Sequence, residues 1–436
     1  GYNLAYGIPE GGYIGTFTTW SDGSAVATGY SDGSDWFFQM VFCATTASIV
    51  SGTLAERIKI WPFFLFVAIL TGVIYPIEMG WQWGGGWLAA AGFSDFAGST
   101  LVHAEGGWIG TFSAWSDSSA LETGYSDGSD WFFQMVFCAT TVSIVSGTLA
   151  ERIKVWPFFL FAAIVTGFIY PIEMGWQWGG GWLSAAGFSD FAGSTLVHAA
   201  GGAAALAGAI VLGPRTGRFG SGGRVMPLEP FAASSVPLAT LGVFVLWLGW
   251  FGFNGGSQLA AGTLEDITAV ATIYINTNLA ACGGVIACAI VSRLIGGKTD
   301  VIMMLNGAIG GLVAITAEPL APRPSMAILI GAIGGVLVYF STKMLFNLKI
   351  DDVVGAIPAH LVAGVWGTLA VPLTNSDTSF GPQLLGVLSI VAFVFITSFI
   401  IWTIMKNTIG IRISKEAERT GTDKAEIGVI AYGIKD

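Results

Sequence analysis

Only three histidines occur in these 436 residues, and each stands inside an apolar run. His103 and His198 occupy two copies of the string DFAGSTLVHA, and His360 lies in DVVGAIPAHLVAG. His198 and His360 share a longer frame, Asp-x-x-Gly-x-x-x-x-His-x-x-x-Gly. Its members are Asp190, Gly193, His198 and Gly202 in one case, and Asp352, Gly355, His360 and Gly364 in the other. An imidazole can donate, accept or relay a proton near neutral pH. Ionisable groups are costly in hydrocarbon and mark transport paths or proton relays there. One such histidine alone reads as a satisfied core residue; two on matched frames point to a functional pair.

The other residues able to do chemistry are aromatic. Phe133 and Phe137 share a helix face in WFFQMVF, Trp176 and Trp178 lie in GWQWGGGW, and GWFGFNGGS offers Trp250, Phe253 and Ser257. Aromatic faces with a hydroxyl oxygen suit weak binding of a small cation. The tryptophans equally fit an interfacial belt. An Asp at a helix start, such as Asp190 or Asp352, has a sufficient reading as N-cap and dipole partner.

The elements that must position these residues are membrane helices. The chain is 53% hydrophobic and 11% charged, with a mean hydropathy of +0.69, which excludes an ordinary soluble domain. Apolar runs long enough to cross hydrocarbon fall near 36–54, 61–78, 131–149, 156–173, 190–213, 229–251, 267–292, 300–317, 325–345, 352–372 and 384–406. They lack the alternation of barrel strands. The expected fold is all-α, a polytopic bundle of about eleven transmembrane helices. Glycines within the spans (62 in the chain) allow close helix approach. Cys43, Cys138, Cys282 and Cys288 have no metal spacing and read as small core residues. Neither cofactor nor nucleic-acid partner is expected.

Basic residues follow alternate spans: Arg57 and Lys59, Arg152 and Lys154, Arg215 and Arg218, Arg293 and Lys298, Lys343 and Lys349, then Lys406 and Arg412. The positive-inside rule then puts the N-terminus outside and the C-terminal tail in the cytoplasm. Asp190 opens its span from outside and Asp352 from the cytoplasm, each His following about 12 Å along the rise. Both imidazoles then fall near the midplane, as an inverted repeat places a central site.

Residues 10–104 and 105–199 are two copies of one unit, differing at about 12 of 95 positions. The third apolar run continues in the second copy as HAAGGAAALAGAIVLG but stops in the first at HAEGGWIG. This divides the chain into a duplicated copy at 1–104, a membrane domain at 105–407 and a cytoplasmic tail at 408–436. The opening GYNLAYG, without Met or leader, reads as the end of a helix under way, so a truncated N-terminus is expected.

Together the strings AERIK, WGGGWL, DFAGSTLVH, GWFGFNGGS and DDVVGAIPAHLVAGVWGTLAVPL resemble the ammonium transporter (Amt/Mep/Rh) family. The resemblance runs from 105 to 436, and 1–104 matches a second time. It implies a homotrimer in the cytoplasmic membrane with one pore per subunit, carrying ammonium rather than catalysing a reaction. Trp178, Phe137 and Ser257 would recruit ammonium, with Asp190 organising that site from beneath. Phe137 and Phe253 would gate the pore, and His198 and His360 would be its twin histidines. Phe42, Trp83, Asp95 and His103 are the equivalents in the duplicate copy.

Two departures bear on function. The family's first two spans, with their Gly-rich ALFYGG-like stretch, are absent, and the spans of copy one stand in their place. Copy two is expected to build the pore, because only its third span is complete. The tail lacks the family's His and acidic residues before Ala431-Tyr432, so a PII-type regulator is a weaker expectation. The alternatives are a transport-defective duplicate, an ammonium sensor, or a membrane haem protein with His198 and His360 as axial ligands.

Overall fold

A computed structural model describes residues 69–70, 75–82, 90, 127–219, 231 and 233–429. The chain divides into two compact units, 1–107 and 108–436. In the first, the described helix is α1 (Tyr75–Gln82).

The second unit is helical, and Ile153 and Arg412 form an isolated antiparallel bridge between its loops. In order come α2 (Asp127–Leu149), α3 (Val155–Gly175), α4 (Trp182–Ala185), α5 (Ser194–Leu212), α6 (Val236–Gly256) and α7 (Leu264–Gly296). Then follow α8 (Val301–Thr316), α9 (Pro324–Asn347), α10 (Ile357–Leu373), α11 (Phe380–Thr408) and α12 (Lys415–Thr420). Seven of these are long and apolar enough to cross a membrane, and α8 and α10 are shorter apolar helices. These nine coincide with the last nine apolar segments of the sequence; the first two lie largely outside the described residues.

Helix starts follow local chemistry. Ser235 accepts from the Leu238 amide, Asp300 from that of Met303, and Thr263 forms a reciprocal capping box with Asp266. The Ala/Gly-rich α5 is the central helix, with 89% of its apolar window buried, against 6% for α6. Around it pack α2, α10 and α11. A second group, α7, α8 and α9, is drawn together by glycine: a methyl at Gly284 would strike the Gly307 carbonyl, and one at Gly331 that of Ala280.

Helices α5 and α10 cross antiparallel, the first turn of each packing on the later half of the other. The crossing rests on Gly202 and Gly364. A methyl at Gly202 would collide with Leu361, and one at Gly364 with the Ser194 carbonyl. Gly364→Ala should therefore lower thermal stability by about 1–3 kcal/mol through overpacking. Gly242→Ala, where a methyl meets nothing within 4 Å, should be neutral or slightly stabilising. Equal unfolding temperatures for the two variants would contradict this packing.

At the Arg152 end, an ion network ties the loops to the tail. The fully buried Arg152 donates to the carbonyls of Asp351 (2.6 Å), Gly213 (2.8 Å) and Thr148 (2.9 Å). Arg215 holds Asp351 with two donors and pairs with Glu151 at 2.6 Å. Arg412 pairs with Glu418, which also accepts from Thr216. Burial pushes the Asp351 and Glu418 carboxyls up, but hydrogen bonds, from Arg215 to one and from Thr216 and Arg412 to the other, hold both below their ordinary values of 3.8 and 4.5. A depressed carboxyl contributes stability that is present above its ordinary value and lost as pH falls through the folded one. Tail docking should hold at neutral pH and loosen below about pH 4. Amide hydrogen exchange over residues 411–420 checks this; protection unchanged into strong acid would refute it.

Candidate functional site

The Asp-x-x-Gly frames fold alike in α5 and α10, with different partners on the two carboxylates. Neither Asp begins its helix where the spacing suggested; each stands four or five residues ahead, folded back over the first turn. Asp190 Oδ1 accepts from the amides of Gly193 and Ser194 (2.9 Å each), and Oδ2 from those of Thr195 (2.7 Å) and Leu196 (3.0 Å). Asp352 accepts from the amides of Gly355 (3.1 Å) and Ile357 (2.8 Å) and from the Thr148 hydroxyl. The reversal requires a left-handed residue, supplied by Gly193 (φ 101°) and Gly355 (φ 78°).

The histidines follow in π-helical turns, Ser194–Ala199 and Ile357–Val362. Such wide turns cost regular hydrogen bonding and recur at functional sites. They bring the rings together where α5 crosses α10: His198 Nδ1 lies 3.2 Å from His360 Nδ1. One ring must donate and the other accept. His198 is fully buried and its Nε2 has no partner, whereas His360 is half-buried. A haem cannot stand between two axial imidazoles already in contact, so these residues do not fit that group.

Aromatic rings line one side of the pair. Phe253 lies against both Phe137 (centroids 4.1 Å) and His198 (5.3 Å), and Trp178 meets Phe137 edge-on at 5.7 Å. The Trp178 indole donates to the Asp190 carbonyl at 2.9 Å, so this residue orients both the aromatic cluster and the His198 turn. Ser257 ends α6, its hydroxyl donating to the Phe253 carbonyl at 2.9 Å. The structure thus brings Trp178, Phe137, Phe253, Asp190, His198 and His360 into one chain of contacts, with Ser257 a turn beyond Phe253. Phe42, Trp83, Asp95 and His103 lie outside the described residues.

Trp250 does something the sequence reading missed. Grouped there with the outer aromatics, it stacks on His198 (4.9 Å, 22° between planes) and donates its indole N–H to Thr316. The signal was available: Trp250 precedes Phe253 by three residues, which places both on one face of α6. Thr195 and Thr368 add a buried hydroxyl pair, 2.6 Å apart, across the α5–α10 contact.

The family model described as Ammonium Transporter Family matches residues 1–118 and again 111–432. Ammonium transporter Amt2 of Archaeoglobus fulgidus is 40% identical over 333 residues, 69% of each chain. Among solved structures, one titled Sensor Amt Protein superposes with a TM-score of 0.67 at 34% identity, covering 74% of this chain and 82% of that one. Mep2 of Candida albicans gives 0.60 at 28%, covering 67% of each. With its paired histidines, aromatic wall and apolar spanning helices, the chain belongs to the ammonium transporter family.

Proposed function

We propose that this chain moves ammonium across the cytoplasmic membrane by parting ammonia from its proton. The observation that carries the reading is the 3.2 Å contact between the two imidazoles, reached through matched turns of two antiparallel helices. Ammonium is received against Trp178 and Phe137, with Ser257 offering a hydroxyl oxygen, and Asp190 keeps the Trp178 indole in place. The Phe137–Phe253 contact is the gate. A bare cation at the midplane is penalised by several kcal/mol. Sodium and potassium cannot shed that charge, but ammonium can, and ammonia passes beyond the gate. There the unpartnered His198 Nε2 is available to hydrogen-bond it, and the linked imidazoles can relay the proton.

The bundle in this reading has eleven spans as an inverted repeat, the N-terminus outside and the tail cytoplasmic, assembled as a homotrimer in the bilayer. Copy two builds the pore, within a membrane domain at 105–407. Docking of a PII-type regulator on the tail remains the weaker part. The test is methylammonium uptake in a host lacking its own ammonium transporters. Uptake above the empty host that ammonium competes away is expected; none, with the protein present in the membrane, would refute transport. A second reading is favoured by the match to the structure titled Sensor Amt Protein: binding without flux, which the same assay separates when paired with equilibrium binding.

A further inference from the structure

Beyond the pore, α2 and α3 share a buried polar seam that the transport reading does not use. Glu173 is fully buried in α3, and neither carboxylate oxygen has a hydrogen-bond partner. Three neighbours along the seam carry buried oxygens in the same condition: Tyr170 Oη, Gln134 Oε1 and Gln177 Oε1. The spacing sets them facing one another. Cys138 donates to the Thr166 carbonyl and pins the two helices together. Gln134 lies one turn from Cys138 on α2 and Tyr170 one turn from Thr166 on α3, both toward the Trp178 end; Glu173 follows Tyr170 at helical spacing, and Gln177 lies in the turn just past the end of α3. Cys138 and Tyr170 both lie within electrostatic reach of Glu173.

The seam has a surplus of acceptors. Its five unpartnered oxygens include one that carries a donor proton, on Tyr170. The carboxylate that acts electrostatically on Glu173, that of Asp190, cannot help, since its oxygens already accept from four amides and its charge repels. Buried polar groups in native proteins are satisfied, and buried charges are paired. A proton on Glu173 would add one donor. An ammonium ion would add four, together with the missing positive charge.

We propose that the α2–α3 seam binds a second ammonium ion, held by Glu173 with oxygens of Tyr170, Gln134 and Gln177, apart from the twin-histidine pore. The proposal does not depend on transport, because none of these residues belongs to the pore.

Full-length protein crystallised with thallium(I), a heavy stand-in for monovalent cations, tests this by anomalous scattering. A peak is expected between Glu173 and Tyr170, removed by ammonium and untouched by equal sodium or potassium. Glu173→Gln should weaken competition by ammonium about tenfold or more, and Tyr170→Phe about threefold, as loss of charged and neutral hydrogen bonds implies. The peak should persist in His360→Ala, which keeps failure of the pore reading separate from failure of this one. No peak, a peak retained at full strength in Glu173→Gln, or equal displacement by potassium would overturn the assignment. So would an infrared carbonyl band of a protonated Glu173 that survives saturation with ammonium.

Discussion

Alanine at His198 is expected to reduce methylammonium uptake by about tenfold to a hundredfold, while alanine at His103 leaves it intact. His198 is fully buried and makes the Nδ1 contact with His360 while packing against both Trp250 and Phe253. Its removal leaves the His360 Nδ1 without its partner and deletes a ring from the wall of the proposed pore. A hydrogen bond to a group that carries charge during function is worth about 1.5–3 kcal/mol, which converts to that range of rates. His103 shares the local string but is followed by Glu105 and a Gly pair in place of the apolar run that continues α5. Intact uptake in His198→Ala with abolished uptake in His103→Ala would move the pore to the first copy. Surface abundance, measured in parallel, keeps lost expression from being mistaken for lost conduction.

Replacing Asp190 with alanine should be the most damaging single change to the fold. Four amides, from Gly193 to Leu196, would lose their acceptor inside the bundle. An unsatisfied buried donor costs about 1–3 kcal/mol; with partial relaxation the loss should exceed about 3 kcal/mol. Asp190→Asn should cost nearly as much, because its amide group must face two of those donors. The parallel change Asp352→Asn should be milder, since one of the groups on Asp352 is the rotatable Thr148 hydroxyl. Thermal unfolding in detergent ranks the three. An Asp190→Ala protein as stable as the parent would show that Asp190 is not the anchor of this turn. Uptake should fall with stability, because the Trp178 indole and the His198 turn hang from the same residue.

Much of this site was legible because the sequence repeats itself. The Asp-x-x-Gly-x-x-x-x-His-x-x-x-Gly frame marks two equivalent positions. In both helices the Asp folds back over the first turn, the first Gly is left-handed, the His enters the pair and the last Gly meets the other helix. Nothing in either string, however, says what Gly202 and Gly364 touch, since each clears space for the other helix, about 160 residues away. The π turns were hidden because widening a helix alters backbone bonding without demanding a particular side chain. The two Asp residues were read as helix-starting caps, and their carboxylates do accept first-turn amides; the spacing did not show that they do so from four or five residues ahead, folded back by the left-handed Gly193 and Gly355. Trp250 was misplaced because hydropathy reports depth only coarsely, whereas Trp250 and Phe253 share a face of α6 and both reach the His198 ring. Glu173 drew no attention as a single acid in an apolar run. Its meaning emerges only when the oxygens around it are found without donors.

The reciprocal glycine contacts between α5 and α10 bear on how the pore proposed along their crossing would discriminate. Where side chains define a bore, rotamer exchange lets its calibre breathe, and discrimination softens on warming. Here helices α5 and α10 touch through main chain at Gly202 and Gly364, so the separation of these two helices is fixed by the thickness of the polypeptide itself, and only the aromatic side of the site is left to its rotamers. On the proposed mechanism, such a conduit would sort solutes by what they can shed rather than by how far they can wedge it open. Its preference for a deprotonable solute should therefore vary little with temperature.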